Sequence, residues 1–236
     1  MLKKLVLTLA FIGLIIVGIR YIPQLLNTSY LFMSDKETVL SVKEKYGTAA
    51  QDRLQPKLEA SGFDSIPPEI ALVALKEERL LELWGQRNGQ WVKIKQYPFT
   101  QFSGQLGPKL REGDKQIPEG VYTIAYLNPN SSYHLSLKVD YPNAFDRAKA
   151  QAEGRRNLGG DIFIHGKAVT IGCIPIGDRA IEEVFLVASH ALDNTIKVII
   201  SPVDFRLGKA FPEIEAVEWE KELYEDIQLA LEAFST

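Results

Sequence analysis

The chain has 236 residues, of which 46% are hydrophobic and 24% are charged. These fractions are typical of a globular protein with a sizeable core, and the length suits one main domain with accessory segments. The formal net charge of -3 argues against nucleic acid as a partner. Three histidines and one cysteine give no zinc-ligand spacing, so a metal site is not expected.

The N-terminal residues predict export. Lys3 and Lys4 form a short basic region, and the uncharged apolar run 5–19 follows. That run has the length of a signal-peptide core and is short for a membrane helix, which needs about 20 apolar residues. Because no pair of small residues marks a cleavage site, an uncleaved inner-membrane anchor over 1–22 is favoured over a cleaved signal. The first alternative places the rest of the chain in the periplasm, and the second would secrete it.

Helices are predicted between this anchor and the main domain. Ser34 and Glu37 have the spacing of a capping box, and the helix that they open would end at Gly47. A second helix is predicted over 48–60. We interpret 23–66 as a helical juxtamembrane spacer with a solvated surface.

Segment 67–205 predicts a mainly β (α+β) domain. The run 70–84 could form a helix, but we favour two strands, because Asn88-Gly89 is a strong hairpin signal and 91–97 alternates in polarity beyond it. A later strand would begin at Tyr133 with every second residue on one face, which places His134 on the opposite, solvent-facing side.

Two helices are predicted near the C-terminus. Asp178 would be the N-cap of a helix over 179–192. Pro212 would begin an amphipathic helix that ends at Phe234, with its apolar side chains facing inward. We therefore assign 206–236 to a C-terminal helix packed on the main domain.

The cysteine of the chain, Cys173, follows Gly172 and lies eight residues after His165. A thiol is a strong nucleophile only as the thiolate, and a neighbouring imidazole would lower its pKa from about 8.5. A short apolar strand over 162–164, a turn at Gly166 and a return strand would set the two side chains side by side. The N–H groups around Gly172 and Cys173 would then form an oxyanion hole. The alternative is a cysteine that serves only as a small buried apolar residue.

Several motifs accompany this pair in a fixed order within about 67–204. They are the runs 106–114, Pro118-Glu119-Gly120 and 141–147, followed by Ile164-His165-Gly166, Gly172-Cys173-Ile174, Asp178 and 181–183. Together they resemble the L,D-transpeptidase catalytic (YkuD-type) family, and most closely its YafK-like murein L,D-transpeptidase branch. One departure is Ile171, where most members carry a second histidine directly before the glycine. The histidine that serves the family as base matches His165 and is present.

The resemblance implies a β-sandwich catalytic domain with a groove and flanking helices. It implies that Cys173 is the nucleophile that forms a thioester with a peptidoglycan stem peptide, and that His165 is the general base and acid. It further implies that the Gly166 carbonyl orients His165 and that Gly172 contributes to the oxyanion hole. No cofactor or metal is required.

Stem peptides carry free carboxylates, which guanidinium groups bind in bidentate fashion. Arg111 and Arg147 lie inside the family-like motifs and, with Lys109, are the predicted substrate-binding residues, whereas Arg156 is interpreted as a solvated charge. The expected function is transpeptidation in cell-wall biogenesis or remodelling. Two alternatives stay open: a hydrolase of the same family that releases a wall-linked lipoprotein or a terminal D-residue, and a non-catalytic envelope protein that binds peptidoglycan.

Overall fold

The computed structural model describes residues 36–215 and 217–234. The predicted anchor over 1–22 and the predicted capping residue Ser34 lie outside these residues. Within the described ranges, no helix combines the length and the apolar character that a membrane span requires. The described residues from Thr38 onward form one compact unit.

The helices and strands are given in chain order. They are α1 (Val39–Ala60), β1 (Ile70–Leu75), β2 (Leu80–Arg87), β3 (Gln90–Pro98), β4 (Gly120–Asn128), β5 (Ser136–Val139), α2 (Ala144–Ala152), β6 (Phe163–His165), β7 (Ile174–Pro175), α3 (Asp178–His190), β8 (Lys197–Ser201) and α4 (Glu220–Leu231). Single 3-10 turns follow β8 and α4, at Phe205–Leu207 and Glu232–Phe234. The predicted mixture of strands and helices is confirmed.

The strands form one eight-stranded sheet with the order β3-β2-β1-β8-β4-β5-β6-β7. Strand β4 belongs to both halves of this sheet, because Gly120 to Thr123 pair with β8 and Ile124 to Asn128 pair with β5. The register shifts between Ile124 and Tyr126, where the strand passes from one neighbour to the other. The predicted sandwich is therefore a single curled sheet in the described residues, and not two separate sheets.

Strand β1 is buried on both faces because helices cover both sides of this half of the sheet. Its sequence is a continuous apolar run, as expected for a central strand that pairs in parallel with β8. Leu72 and Ala74 face a large core that α1 and α3 close. Ala71 and Val73 face a second core against α4. This half of the sheet thus lies between two helical layers.

Helix α1 corrects two predictions made for 23–66. Thr38 is the N-cap and forms a reciprocal capping box with Ser41, and the helix continues through Gly47 to Ala60 without the predicted break. Leu54 and Leu58 are fully buried in the core. A solvated spacer is therefore wrong for these residues, because this helix buries one face on the domain.

Two further boundaries differ from the sequence prediction. The C-terminal helix begins at Glu220 and not at Pro212, although Leu223, Ile227 and Leu231 face inward as expected. Strand β5 begins only at Ser136. The residues directly before Ser136, which include Tyr133 and His134, form turns and bends.

Candidate active site

His165 is the last residue of β6 and is only 1% exposed. The alternation of the strand directs Ile164 into the core and His165 to the opposite face. Its Nδ1 lies 2.6 Å from the carbonyl oxygen of Gly166. Because a carbonyl only accepts, Nδ1 carries the proton and Nε2 keeps a lone pair. Burial lowers the pKa of His165, against the opposing effect of the Gly166 hydrogen bond.

Cys173 directly precedes β7, which runs parallel to β6 with Ile164 opposite Ile174 and His165 opposite Pro175. The register therefore places Cys173 beside Phe163, on the same face as His165 and diagonally across from it. The thiol donates a hydrogen bond to the Asp161 carbonyl at 3.4 Å. Among the described residues, no hydrogen bond joins the thiol to the imidazole. The structure thus places both predicted residues on one face of the sheet.

The predicted low pKa of the thiol is wrong for this conformation. Burial raises the pKa of Cys173, while a hydrogen bond from the Phe163 backbone and the charge of Lys138 act in the opposite direction. The half-buried sulfur loses more from exclusion of water than it gains from these partners. The thiol is therefore protonated at neutral pH in this conformation.

Lys138 is a polar neighbour of the thiol that the sequence did not reveal. It lies on β5 opposite Phe163, so Lys138, Phe163 and Cys173 form a row across three strands. Its ammonium group donates to the Gly160 carbonyl, one peptide away from the carbonyl that holds the thiol. Burial lowers the pKa of Lys138, and the charge of Asp161 opposes this. Only the pairing of β5 with β6 creates this row, and no local sequence signal predicts it.

Tyr133 is a second residue that the sequence misplaced. Its ring lies over the imidazole of His165, with the ring centroids 4.6 Å apart and the planes 31° from parallel. The chain reverses at His134, whose φ is 75°, so Tyr133 does not continue the strand as predicted. His134 itself is partly buried, with Nε2 3.0 Å from Glu182 Oε1. The tyrosine therefore forms part of the cover that keeps water from the imidazole.

Gly166 occupies a position that admits no side chain. A Cβ atom there would lie 2.6 Å from Asp178 Oδ1 and 2.7 Å from the Tyr133 carbonyl oxygen. Asp178 Oδ1 also accepts the Lys167 N–H at 2.8 Å, which fixes the turn that follows His165. Asp178 is therefore not the predicted N-cap, because Gly177 holds that position and Asp178 instead braces the turn.

Gly172 has a φ of 130°, and a Cβ atom there would lie 2.9 Å from the Gln116 carbonyl oxygen. The N–H groups of Gly172 and Cys173 both donate to Thr170 Oγ1, at 3.1 and 2.8 Å. The Thr170 hydroxyl in turn donates to the Cys173 carbonyl at 2.7 Å. The donors predicted for an oxyanion hole converge on one oxygen atom, which here belongs to the protein. Their use by a substrate stays a prediction that requires this hydroxyl to move.

The three predicted substrate-binding residues are in different environments. Lys109 is buried, and its ammonium group contacts Asp114 at 2.5 Å and the Arg111 carbonyl at 2.9 Å, which commits it to its own loop. Arg147 donates to the Pro142 carbonyl beside the start of its own helix. Arg111 lines a cavity of about 640 Å³. Their contacts with substrate stay predictions, and the geometry favours Arg111.

Within residues 36–215 and 217–234, no group of three or more histidine, cysteine, aspartate or glutamate side chains is placed to hold a metal ion. The side chains that the site brings together are a thiol, an imidazole of fixed tautomer and a nearby ammonium group.

Comparisons with known proteins identify relatives of this chain. Residues 68–200 match the family model of the L,D-transpeptidase catalytic domain, YkuD. The chain is 35% identical over 146 residues to curated proteins of Escherichia coli K12 and O157:H7, each named "Putative L,D-transpeptidase YafK". That alignment covers 60% of this chain and 56% of each relative, so the chain matches little more than half of their length.

Two solved structures also resemble the fold. The helical cell shape determining protein Pgp2 of Campylobacter jejuni is 22% identical with a TM-score of 0.48, covering 64% of this chain and 55% of Pgp2. Bd1075 of Bdellovibrio bacteriovorus is 18% identical with a TM-score of 0.43, covering 73% of this chain and 58% of Bd1075. The family model spans more than half of the sequence. The chain therefore belongs to the L,D-transpeptidase catalytic domain (YkuD) family.

Proposed function

We propose that the protein is a cysteine-dependent L,D-transpeptidase that acts on peptidoglycan stem peptides. The observation that carries this proposal is the fixed tautomer of His165: its Nδ1–H donates to the Gly166 carbonyl, which leaves Nε2 as a base on the face that also bears Cys173. Membership of the YkuD family supplies the reaction class. A purely structural cysteine would not require a neutral, oriented imidazole on the same face.

The first half-reaction forms a thioester. The thiol leaves the Asp161 carbonyl and transfers its proton to His165 Nε2, and the sulfur attacks the carbonyl carbon of the residue before the terminal D-residue. The Gly166 carbonyl stabilises the imidazolium that results, through the bond to Nδ1–H. The C–N bond then breaks, and the departing amine takes the proton from Nε2. Cys173 is left bound to the acyl group as a thioester.

The second half-reaction transfers the acyl group. An acceptor amine, such as the side-chain amine of a diamino acid, attacks the thioester carbon and gives its proton to His165. The carbon–sulfur bond breaks, and the sulfur takes the proton back as a thiol. Water in place of the amine would give hydrolysis by the same steps. Ile171, two residues before Cys173, is 76% exposed, and an apolar side chain near the thiol would disfavour both acceptors alike.

The experiment that tests this proposal follows the acyl-enzyme by mass. Purified full-length protein is incubated with a stem tetrapeptide donor, and we expect an adduct on Cys173 that Cys173→Ala does not form. Adding a large excess of amine acceptor should release a cross-linked product. Release of only the hydrolysed tetrapeptide at every acceptor concentration would replace transfer by hydrolysis. Binding of the peptide without any adduct would instead indicate a non-catalytic binding protein.

The location belongs to the same proposal. Stem peptides occur outside the cytoplasm, and the apolar run 5–19 favours an inner-membrane anchor with the catalytic domain in the periplasm. A wall-linked lipoprotein is the partner expected if hydrolysis prevails. Cell fractionation tests the anchor: we expect full-length protein in the membrane fraction, and a soluble, shortened form would show that the segment is cleaved.

A further inference from the structure

A cavity of about 640 Å³ lies between the loop 104–116 and the segment 155–157. Pro108 and Leu110 give it an apolar wall, while Arg111 and Arg156 bring guanidinium groups to its lining. The two segments are tied together across the cavity by the hydrogen bond from the Glu112 N–H to the Asn157 carbonyl, at 2.9 Å. The cavity is therefore formed by the backbone itself, and its walls are held in place without a ligand.

The acidic side chain in this lining is already neutralised by the protein. Asp114 contacts the Lys109 ammonium at 2.5 Å and accepts backbone N–H groups from Leu110, Arg111 and Gln116. Burial alone would raise the pKa of Asp114, but the Lys109 ammonium and these N–H groups hold it below its usual value. Asp114 therefore stays ionised with its charge balanced and does not repel an anion.

The three arginines of the lining differ in whether their guanidinium groups have partners. Arg155 donates to Glu153 and to the Leu110 carbonyl, so it belongs to the wall. Arg111 and Arg156 are exposed, and neither guanidinium group forms a hydrogen bond or an ion pair with any residue that the structure describes. The cavity thus offers two unpaired guanidinium groups beside an apolar wall.

Both segments that line the cavity lead to residues that contact Gly172 or Cys173. Gln116 lines the cavity, and its carbonyl oxygen is the atom that excludes any side chain at Gly172. On the other side, the chain runs from Arg156 to Asp161, whose carbonyl holds the Cys173 thiol. The cavity therefore adjoins the residue that directly precedes Cys173.

We infer that this cavity binds a free carboxylate of the stem peptide, with Arg111 and Arg156 as the groups that bind it. The inference rests on the proposed function for the identity of the peptide. A carboxylate presents two coplanar oxygen atoms, which match the fork of N–H donors on a guanidinium group. The apolar wall accommodates the aliphatic part of the residue that bears the carboxylate. Arg156, interpreted from the sequence as a solvated charge, is thereby a binding residue.

The test measures binding without chemistry. The full-length Cys173→Ala protein is titrated with a stem tetrapeptide by calorimetry, alone and with Arg111→Gln or Arg156→Gln. We expect each arginine substitution to raise Kd about ten-fold, because one charge-assisted bidentate contact is lost. Arg179→Gln, an exposed arginine on α3, is the matched control and should leave Kd unchanged. Unchanged thermal unfolding of each variant shows that the fold is retained.

Two amidated peptides identify the carboxylate. One carries an amide at the terminal D-residue, and the other carries amides at the internal carboxyl groups. The peptide that loses the bound carboxylate should bind about ten-fold more weakly to the protein with both arginines, and should lose little more when an arginine is replaced. Equal affinity of all three peptides, equal affinity of the arginine variants, or no binding of any peptide would overturn the inference. The mass adduct on wild-type Cys173 tests the proposed function separately, so either conclusion can fail alone.

Discussion

Two groups of buried polar side chains in this protein differ in how many of their polar atoms have hydrogen-bond partners. Lys76 and Glu119 are both fully buried and lie 2.8 Å apart. The Lys76 ammonium also donates to the Gly107 and Ile117 carbonyls, which uses all three of its protons. Glu119 further accepts from the Gly107 N–H and the Tyr224 hydroxyl. This network joins both ends of the loop that lines the cavity, 104–116, to Lys76, directly after β1, and to α4.

On the proposed catalytic face, which bears His165 and Cys173, only some of the polar atoms have hydrogen-bond partners. His165 uses Nδ1 on the Gly166 carbonyl, while Nε2 has no partner among the described residues. Cys173 has only a long contact from its thiol to the Asp161 carbonyl. A polar group that holds the fold is saturated, because an unpaired buried donor or acceptor is costly. A group that performs chemistry keeps an atom free for the substrate, and the two sets should therefore respond to substitution in opposite ways.

The largest expected effect separates activity from stability at His165. His165→Gln should slow formation of the acyl-enzyme by about 10²- to 10⁴-fold, because the base that takes the thiol proton is lost. The free energy of unfolding should change by less than about 1 kcal/mol, since one hydrogen bond is replaced by another. Mass spectrometry of samples quenched at successive times measures the rate of acyl-enzyme formation, and urea unfolding measures the free energy of unfolding. A large loss of stability with most activity retained would contradict the comparison.

The opposite pattern is expected at the saturated pair. Glu119→Gln leaves the buried Lys76 ammonium without its counter-charge and should reduce the free energy of unfolding by about 3–5 kcal/mol. The double variant Lys76→Met with Glu119→Gln should be more stable than Glu119→Gln alone, because no unpaired buried charge remains. Urea unfolding monitored by tryptophan fluorescence measures both. A loss below about 1 kcal/mol in the single variant would show that the network is not required for the fold.

A smaller loss of stability is expected at Gly166, whose carbonyl orients His165 and whose position has no room for a side chain. Gly166→Ala places a methyl group against Asp178 Oδ1 and the Tyr133 carbonyl and should destabilise the fold by about 1–3 kcal/mol. It should also slow acylation, because the carbonyl that orients His165 is displaced. Gly160→Ala is the matched control, since its nearest neighbour would be 4.0 Å away. Equal effects of the two substitutions on stability would contradict the steric argument.

The sequence predicted the parts of the site that local patterns determine. The apolar strand before His165 and the glycines beside it and Cys173 were recognisable because strand ends and turns leave local signals. Lys138 and Tyr133 were not, because the first depends on the register of β5 against β6 and the second on a reversal at His134. Burial of the thiol likewise arises from tertiary packing, so its raised pKa had no signal in the sequence.

In the fold as well, features set by a local sequence pattern were predicted, and features set by contacts between distant segments were not. The C-terminal helix was predicted from its apolar pattern, apart from its start, and the strands around Asn88-Gly89 were predicted from that turn. The packing of α1 was not, because a weakly amphipathic helix resembles a solvated one until its partner is known. Arg53 of this helix pairs with Glu182 and Glu183 on α3, far away in the sequence. Ion pairs of this kind do not appear in any local window.

The smallest expected effect concerns Tyr133, whose ring covers the imidazole of His165. It sharpens the comparison because the substitution changes the surroundings of His165 and leaves the Lys76–Glu119 network unchanged. Burial lowers the pKa of His165, and the ring of Tyr133 lies directly over it. Tyr133→Ala admits water, which favours the charged imidazolium, so the pKa of His165 should rise towards its ordinary value of about 6.5. The base must be neutral to accept the thiol proton. The acidic limb of the acylation rate should therefore move to higher pH, by less than about one unit.

The measurement is the rate of adduct formation on Cys173 between pH 5 and pH 8, with the full-length protein and its Tyr133→Ala variant. At pH 8 the imidazole is neutral in both proteins, so the acidic limb contributes no difference there, and any loss from a displaced ring affects all pH values equally. Tyr126→Ala is the control, because Tyr126 lies on the same face, is 50% exposed and contacts Phe163 and not His165. A limb that stays in place, or moves to lower pH, would show that Tyr133 does not control the hydration of the base.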